Sequence, residues 1–164
     1  MALEIAVETP LQDDVRALIA ELNDAMNAQE PDTPEEFKFR MTAEEMAAPE
    51  MTVWVARLDR AAVGCGALLR HPDGLGEVKR MYVRPGMQGQ GVAGRLLLAI
   101  EEKAAAEGFG RLALETGVPY AAARRVYERA GFMPCGPFAD YPDNPYSVFY
   151  EKALSREQAE QHAI

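Results

Sequence analysis

The sequence is poor in the residues that staple or metallate small proteins. It has two cysteines in 164 residues, Cys65 and Cys135. They form no C-x-x-C pair and no histidine cluster accompanies them, which argues against a disulfide framework or a metal site. Each falls in a β-type run, where it reads as a small apolar residue in a reduced cytoplasmic setting. Long apolar runs are also missing. None approaches the roughly 18 residues that a membrane span needs, so no membrane partner is expected. The N-terminus, MALEIAVETP, carries an early glutamate and no basic stretch, unlike a secretory leader. Positive charge is scarce, with 17 Lys and Arg against 26 Asp and Glu, a formal net charge of −9. That argues against a nucleic-acid surface, which needs a basic patch. The acidic balance suits an amine ligand, although solubility alone explains it as simply. No Gly-Lys-Ser/Thr occurs, which excludes a P-loop.

What is present is a core-forming composition, 48% apolar and 26% charged. The length fits one domain, expected over residues 1–154, with a polar, fraying tail at 155–164. LEIAVE (3–8) alternates as a strand does. Residues 11–28 place Leu11, Val15, Leu18, Ile19, Leu22 and Met26 at helical spacing. Two helix starts follow. Thr33-Pro34-Glu35-Glu36 offers a cap with proline at the first helical position, and Thr42-Ala43-Glu44-Glu45 offers a capping box. Residues 51–59 and 61–70 are strands joined at Asp59-Arg60. Residues 75–84 form the next strand, stopped by Pro85. The period then changes. Ala93, Leu96, Leu97, Ile100 and Ala104 share one helical face, and Gly108 ends that helix. Residues 111–116 are a strand. Pro119 opens a helix running to Arg129, with Ala122, Ala123, Val126 and Tyr127 inward. FMPCG and 146–154 are the last strands. The fold class is α+β: a mainly antiparallel twisted sheet with a central β-α-β crossover and flanking helices.

Gly89-Gln90-Gly91-Val92-Ala93-Gly94 satisfies G-x-G-x-x-G, and Glu115 lies 21 positions beyond Gly94. Such glycines admit a phosphate to the exposed N–H groups and positive dipole end of a helix. The dinucleotide reading fails on context. Its strand must run straight into the first glycine and open the domain. Here Arg84-Pro85-Gly86-Met87-Gln88 intervenes, three or more strands precede the motif and one crossover follows. Glu115 then matches the ribose-binding carboxylate by coincidence.

The run from Glu77 to Phe132 instead resembles the GNAT N-acetyltransferase superfamily. A strand ends in Val83-Arg84-Pro85. Gln88-x-x-Gly91-x-Ala93 opens an amphipathic helix, and Val126-Tyr127-Glu128-x-x-Gly131-Phe132 closes a later one. Two departures stand out. Glutamines occupy positions 88 and 90 where many members carry an arginine. Tyr120 stands where an asparagine is usual, seven residues before the tyrosine.

The resemblance implies acetyl-CoA as cosubstrate and no metal. The main-chain N–H groups of Gln88, Gly89, Gln90, Gly91, Val92, Ala93 and Gly94 would hold its pyrophosphate. The exposed backbone of Met81, Tyr82 and Val83 would lie along the pantetheine arm, with the Met81 N–H donating to the acetyl carbonyl. Tyr127 occupies the family's usual acid position, beside the alternative of a core tyrosine with a satisfied hydroxyl. Glu77 stands where some members keep their base, beside the alternative of an ordinary strand residue. A base is needed because a free alkylammonium, with a pKa of about 10, is scarcely nucleophilic at neutral pH. The acceptor side falls in 27–41 and 138–152. Glu30, Asp32, Glu35, Glu36, Asp140 and Asp143 are either an acidic mouth or solvated loop charges. Tyr141 and Tyr146 either line a pocket or pack the sheet edge.

The implied activity is transfer of acetyl from acetyl-CoA to a primary amine of a small or amino-acid-like acceptor by direct attack. A protein lysine or N-terminus as acceptor, and a non-catalytic acetyl-CoA sensor, are the alternatives. Members of this superfamily often form homodimers, and the sequence has no stretch diagnostic of an interface.

Overall fold

A computed structural model describes residues 2–154; the tail expected at 155–164 lies outside them. Seven strands form one sheet: β1 (Leu3–Val7), β2 (Met51–Leu58), β3 (Ala61–Arg70), β4 (Leu75–Val83), β5 (Arg111–Gly117), β6 (Met133–Cys135) and β7 (Ser147–Ala153). Their spatial order is β1-β2-β3-β4-β5-β7-β6. Only β4 and β5 pair in parallel, as expected for two strands joined by a helical crossover. The helices are α1 (Asp13–Gln29), α2 (Ala43–Met46), α3 (Val92–Ala106) and α4 (Ala121–Arg129).

The period-2 alternation of the strands sets the two layers. On β2, Val53 and Val55 face the cluster containing Val15 and Leu18 of α1 and Met46 of α2. Trp54 and Ala56 face the opposite cluster, which holds Leu96, Leu97 and Ile100 of α3 and Tyr127 of α4. The β2–β3 turn is tight because Asp59 and Arg60 both take positive φ, 48° and 75°, the backbone twist that matches paired strands. Thr42 caps α2 through a complete capping box with Glu45.

Thr33-Pro34 does not open a helix. Only one 3₁₀ turn forms, at Glu35–Phe37, with Pro34 at its cap and no side-chain cap bond. Tertiary contacts outweigh the local signal here. Phe37 stacks on Tyr146 and Phe39 meets Tyr141 edge-on, which draws the chain out along the end of the sheet. The helix expected from Pro119 begins at Ala121, with Tyr120 at its cap. Within it Ala122 is exposed rather than packed. Leu11, expected on the apolar face of α1, precedes the helix and is exposed.

One irregularity shapes the site. Cys65 of β3 opposes Tyr82 while Ala67 opposes Lys79, so Arg80 and Met81 together face Gly66. This is a β-bulge, and Arg80 takes a φ of 60° within it.

Candidate active site

The β4–β5 pairing runs only from Leu75 to Val78 on the β4 side. Beyond it the strands part, and Lys79 through Val83 have a strand partner only in β3. A cavity of about 840 Å³ opens at this split. That lies within the range typical of small-molecule and cofactor sites. Its walls come from β4, β5, the loop before α3, α4, the end of α1 and Tyr141.

The loop is shaped to receive an anion. Gly89 and Gly91 both have φ of 79°, a left-handed conformation that suits glycine. Gly91 is the N-cap of α3, where no side chain caps the helix and no acidic residue occupies the first turn. The first N–H groups of α3 are therefore left to a ligand. A Cβ at Gly89, Gly91 or Gly94 would meet no protein atom within 4 Å. Gln88, Gly89, Gly91, Val92, Ala93 and Gly94 all line the cavity, as do Met81, Tyr82 and Val83; Gln90 does not. The Gln88 side-chain amide donates to the Val83 carbonyl at 3.3 Å, so that carbonyl is partly engaged. The residues present fit a diphosphate carrier.

Tyr127 lines the same cavity and is 7% exposed. Its ring contacts Phe132 and Tyr150, but among the described residues its hydroxyl has no hydrogen-bond partner. The satisfied core tyrosine is therefore not what the structure shows. Burial, and secondarily the charge of Glu115, raise its pKa, so the hydroxyl keeps its proton.

Three carboxylates reach the cavity from the α1 side of the sheet. Glu77 is 2% exposed and heavily engaged. His71 Nε2 lies 2.9 Å from it, the Tyr141 hydroxyl donates to it, and Lys79 Nζ stands 3.7 Å away. Lys79 also donates to Tyr141 at 3.0 Å. Glu30, at the end of α1, accepts from the Tyr120 hydroxyl at 2.6 Å. A Cβ at Gly117 would sit 2.7 Å from the Tyr120 ring and 2.9 Å from Glu30 Oε1, so that pair needs glycine beneath it. Glu115 accepts from Ser147 Oγ at 2.6 Å. Burial pushes Glu115 up to about 7, against the opposing effect of the Ser147 bond.

Sequence reasoning set Glu115 aside because its spacing fitted the wrong motif. The local signal that could have found it is an acidic residue near the end of an otherwise apolar strand. Of the six candidate mouth residues, only Glu30 lines the main cavity; Asp32, Glu35, Glu36, Asp140 and Asp143 are exposed. Tyr141 lines the cavity, while Tyr146 packs on Phe37. No group of three or more potential metal-ligating side chains occurs among the described residues, and none of their helices is long and apolar enough to cross a membrane.

A cleft between parted parallel strands, faced by an uncapped helix and backed by carboxylates and a protonated tyrosine, defines a group-transfer enzyme fed by a phosphate-bearing carrier. Residues 17–132 match the Acetyltransferase (GNAT) family model. The chain is 41% identical over 151 residues to an IAA acetyltransferase of Azospirillum brasilense, covering 92% of this chain and 97% of the relative. It is 36% identical to the uncharacterized N-acetyltransferase YsnE of Bacillus subtilis, covering 85% of this chain and 93% of the relative. In fold it is similar to PaiA N-acetyltransferase from Thermoplasma acidophilum, solved in complex with coenzyme A. The TM-score is 0.69 at 16% identity, over 93% of this chain and 99% of that one. The chain belongs to the GNAT acetyltransferase family. It is an acyltransferase, and the fold is one that uses acetyl-CoA.

Proposed function

We propose that this acyltransferase moves the acetyl group of acetyl-CoA to the primary amine of a small or amino-acid-like acceptor. The observation that carries this reading is one cavity holding both a carboxyl with a pKa of about 7 and an unbonded, protonated tyrosine. The Azospirillum relative is named for IAA, which favours a small acceptor here.

Acetyl-CoA supplies an activated thioester; the chain's own residues hold it and move protons. The N–H groups from Gln88 to Gly94 hold the pyrophosphate, and the β4 edge at Met81 to Val83 orients the arm. Glu115 takes the proton that the acceptor ammonium must lose. A base with a pKa near the working pH is the efficient choice, which suits Glu115. Glu77, held between His71, Tyr141 and Lys79, fixes the neighbouring wall. The Tyr127 hydroxyl donates to the sulfur as the carbon–sulfur bond breaks. A thiol of pKa about 8.5 leaves readily, so this help is modest.

Calorimetric titration with acetyl-CoA and with NADH tests the carrier, and binding of NADH alone would reject the reading. Thiol release across a panel of amines tests the transfer. Acetyl-CoA binding with no turnover on any amine would identify a sensor.

A further inference from the structure

Two cations stand on the acceptor-side wall of the cavity, and they differ in one respect. Lys79 has an acidic partner in Glu77. Arg80 has none: among the described residues no carboxylate lies within ion-pair distance of its guanidinium. Yet Arg80 is 8% exposed. Its Nη2 donates to Asn23 Oδ1, and its Nη1 meets only the Met26 sulfur, at 3.7 Å. Its Nε is buried with no partner.

An uncompensated charge in such a place is expensive. An ion buried without a counter-ion keeps an unrepaid desolvation cost, and orphaned buried donors are rare. The bulge puts it there. Without the extra residue, consecutive side chains of β4 would alternate between faces. With Arg80 at a φ of 60°, its side chain reaches Asn23 and Met26 of α1 while Lys79 reaches Tyr141, so both cations face the α1 side. Bulges re-aim side chains next to active sites. Burial works against the charged form of this guanidinium.

We infer that Arg80 is the carboxylate receptor of the acceptor site, and that the acceptor is an amino acid or a close analogue with an anionic group near its amine. This rests on reading the cavity as the acceptor site. The acceptor's carboxylate supplies the missing counter-charge at Arg80, while its ammonium faces Glu115 and Glu30. Phe37, Phe39 and Ala25 line the same space, so an apolar side chain is preferred.

The test uses the full chain with matched pairs: L-phenylalanine with 2-phenylethylamine, L-leucine with 3-methylbutylamine, and L-methionine with 3-(methylthio)propylamine. Within at least one pair the amino acid should show a kcat/KM about 10- to 100-fold above its amine, the range of a charge-assisted hydrogen bond. Arg80→Met should bring the amino acid down to the level of the amine and leave acetyl-CoA affinity unchanged. It should not lower the melting temperature, because it removes a buried charge beside Met26. Arg80→Lys should recover part of the preference. Amines acetylated as well as their amino acids, or an Arg80→Met loss shared equally by acetyl-CoA or by the amines, would overturn the inference. If no amine is acetylated, titration of the CoA-loaded protein with the same amino acids and with 3-phenylpropionate still decides. Binding lost in Arg80→Met sustains the carboxylate site and rejects N-acetyl transfer; no binding rejects the carboxylate site.

Discussion

Replacing Glu115 with glutamine separates its proton from the rest of the protein. Burial is the main reason this carboxyl is pushed up to about 7. The Ser147 bond opposes the rise, Glu30 adds to it, Lys79 opposes it and Glu77 adds to it. Tyr120, Tyr127 and Tyr141 also sense its charge. A carboxyl whose pKa is higher in the folded state binds its proton more tightly there. Its contribution to stability is therefore full below the unfolded value near 4.5 and is lost as the pH rises through about 7. At about 1.4 kcal/mol per pH unit, the interval from 4.5 to about 7 corresponds to about 3 kcal/mol. Glutamine cannot ionise and still accepts from Ser147. Urea unfolding of both proteins between about pH 4.5 and 8.5 should show their stability difference shifting toward Glu115→Gln by about this amount. Subtraction cancels carboxylates such as Glu8 and Glu107, which arginine partners hold low in both proteins. The wild-type kcat/KM should rise through about pH 7. The variant should lose that limb and at least about 100-fold in rate, the lower end for a general base. A flat difference curve, or a variant that keeps the limb, would refute the assignment.

Ser147→Ala removes a hydrogen bond that lowers the Glu115 pKa, so the activity limb should move to higher pH; an unmoved profile would show that this bond does not tune the base. Tyr127→Phe should lower kcat more than it weakens acetyl-CoA binding, and unchanged turnover would remove the acid role. Gly91→Ala forces a side chain into a left-handed cap at about 1–2 kcal/mol, so the melting temperature and acetyl-CoA affinity should fall together; retained affinity would separate the loop from the pyrophosphate.

Much of the frame was legible because it is written locally. The β-type runs of β2 and β3, the spacing along α3, and the Thr42 box each depend on residues close in sequence, and each forms as read. Thr33-Pro34 is the instructive failure, since its caps are sound but Phe37 and Phe39 find aromatic partners more than a hundred residues away. The glycine loop and Tyr127 could be placed because motif and element coincide. Glu115 could not, because its elevated pKa comes from burial in the folded chain, and the Ser147 bond that tempers it comes from 32 residues later. Nor could Arg80, whose lack of an ion-pair partner among the described residues depends on a bulge that turns it toward Asn23 and Met26.

The place of β7 in the sheet has a consequence for how the enzyme is made. β7 lies between β5 and β6, and β6 pairs with no other strand among the described residues. A chain emerging from the ribosome therefore completes its glycine loop well before the pairing that covers β5. Until β7 arrives, β5 presents an open edge to other nascent chains. β7, the last strand among the described residues, both closes that edge and brings Ser147 to Glu115. Cover for the β5 edge and the bond that tunes Glu115 thus arrive together.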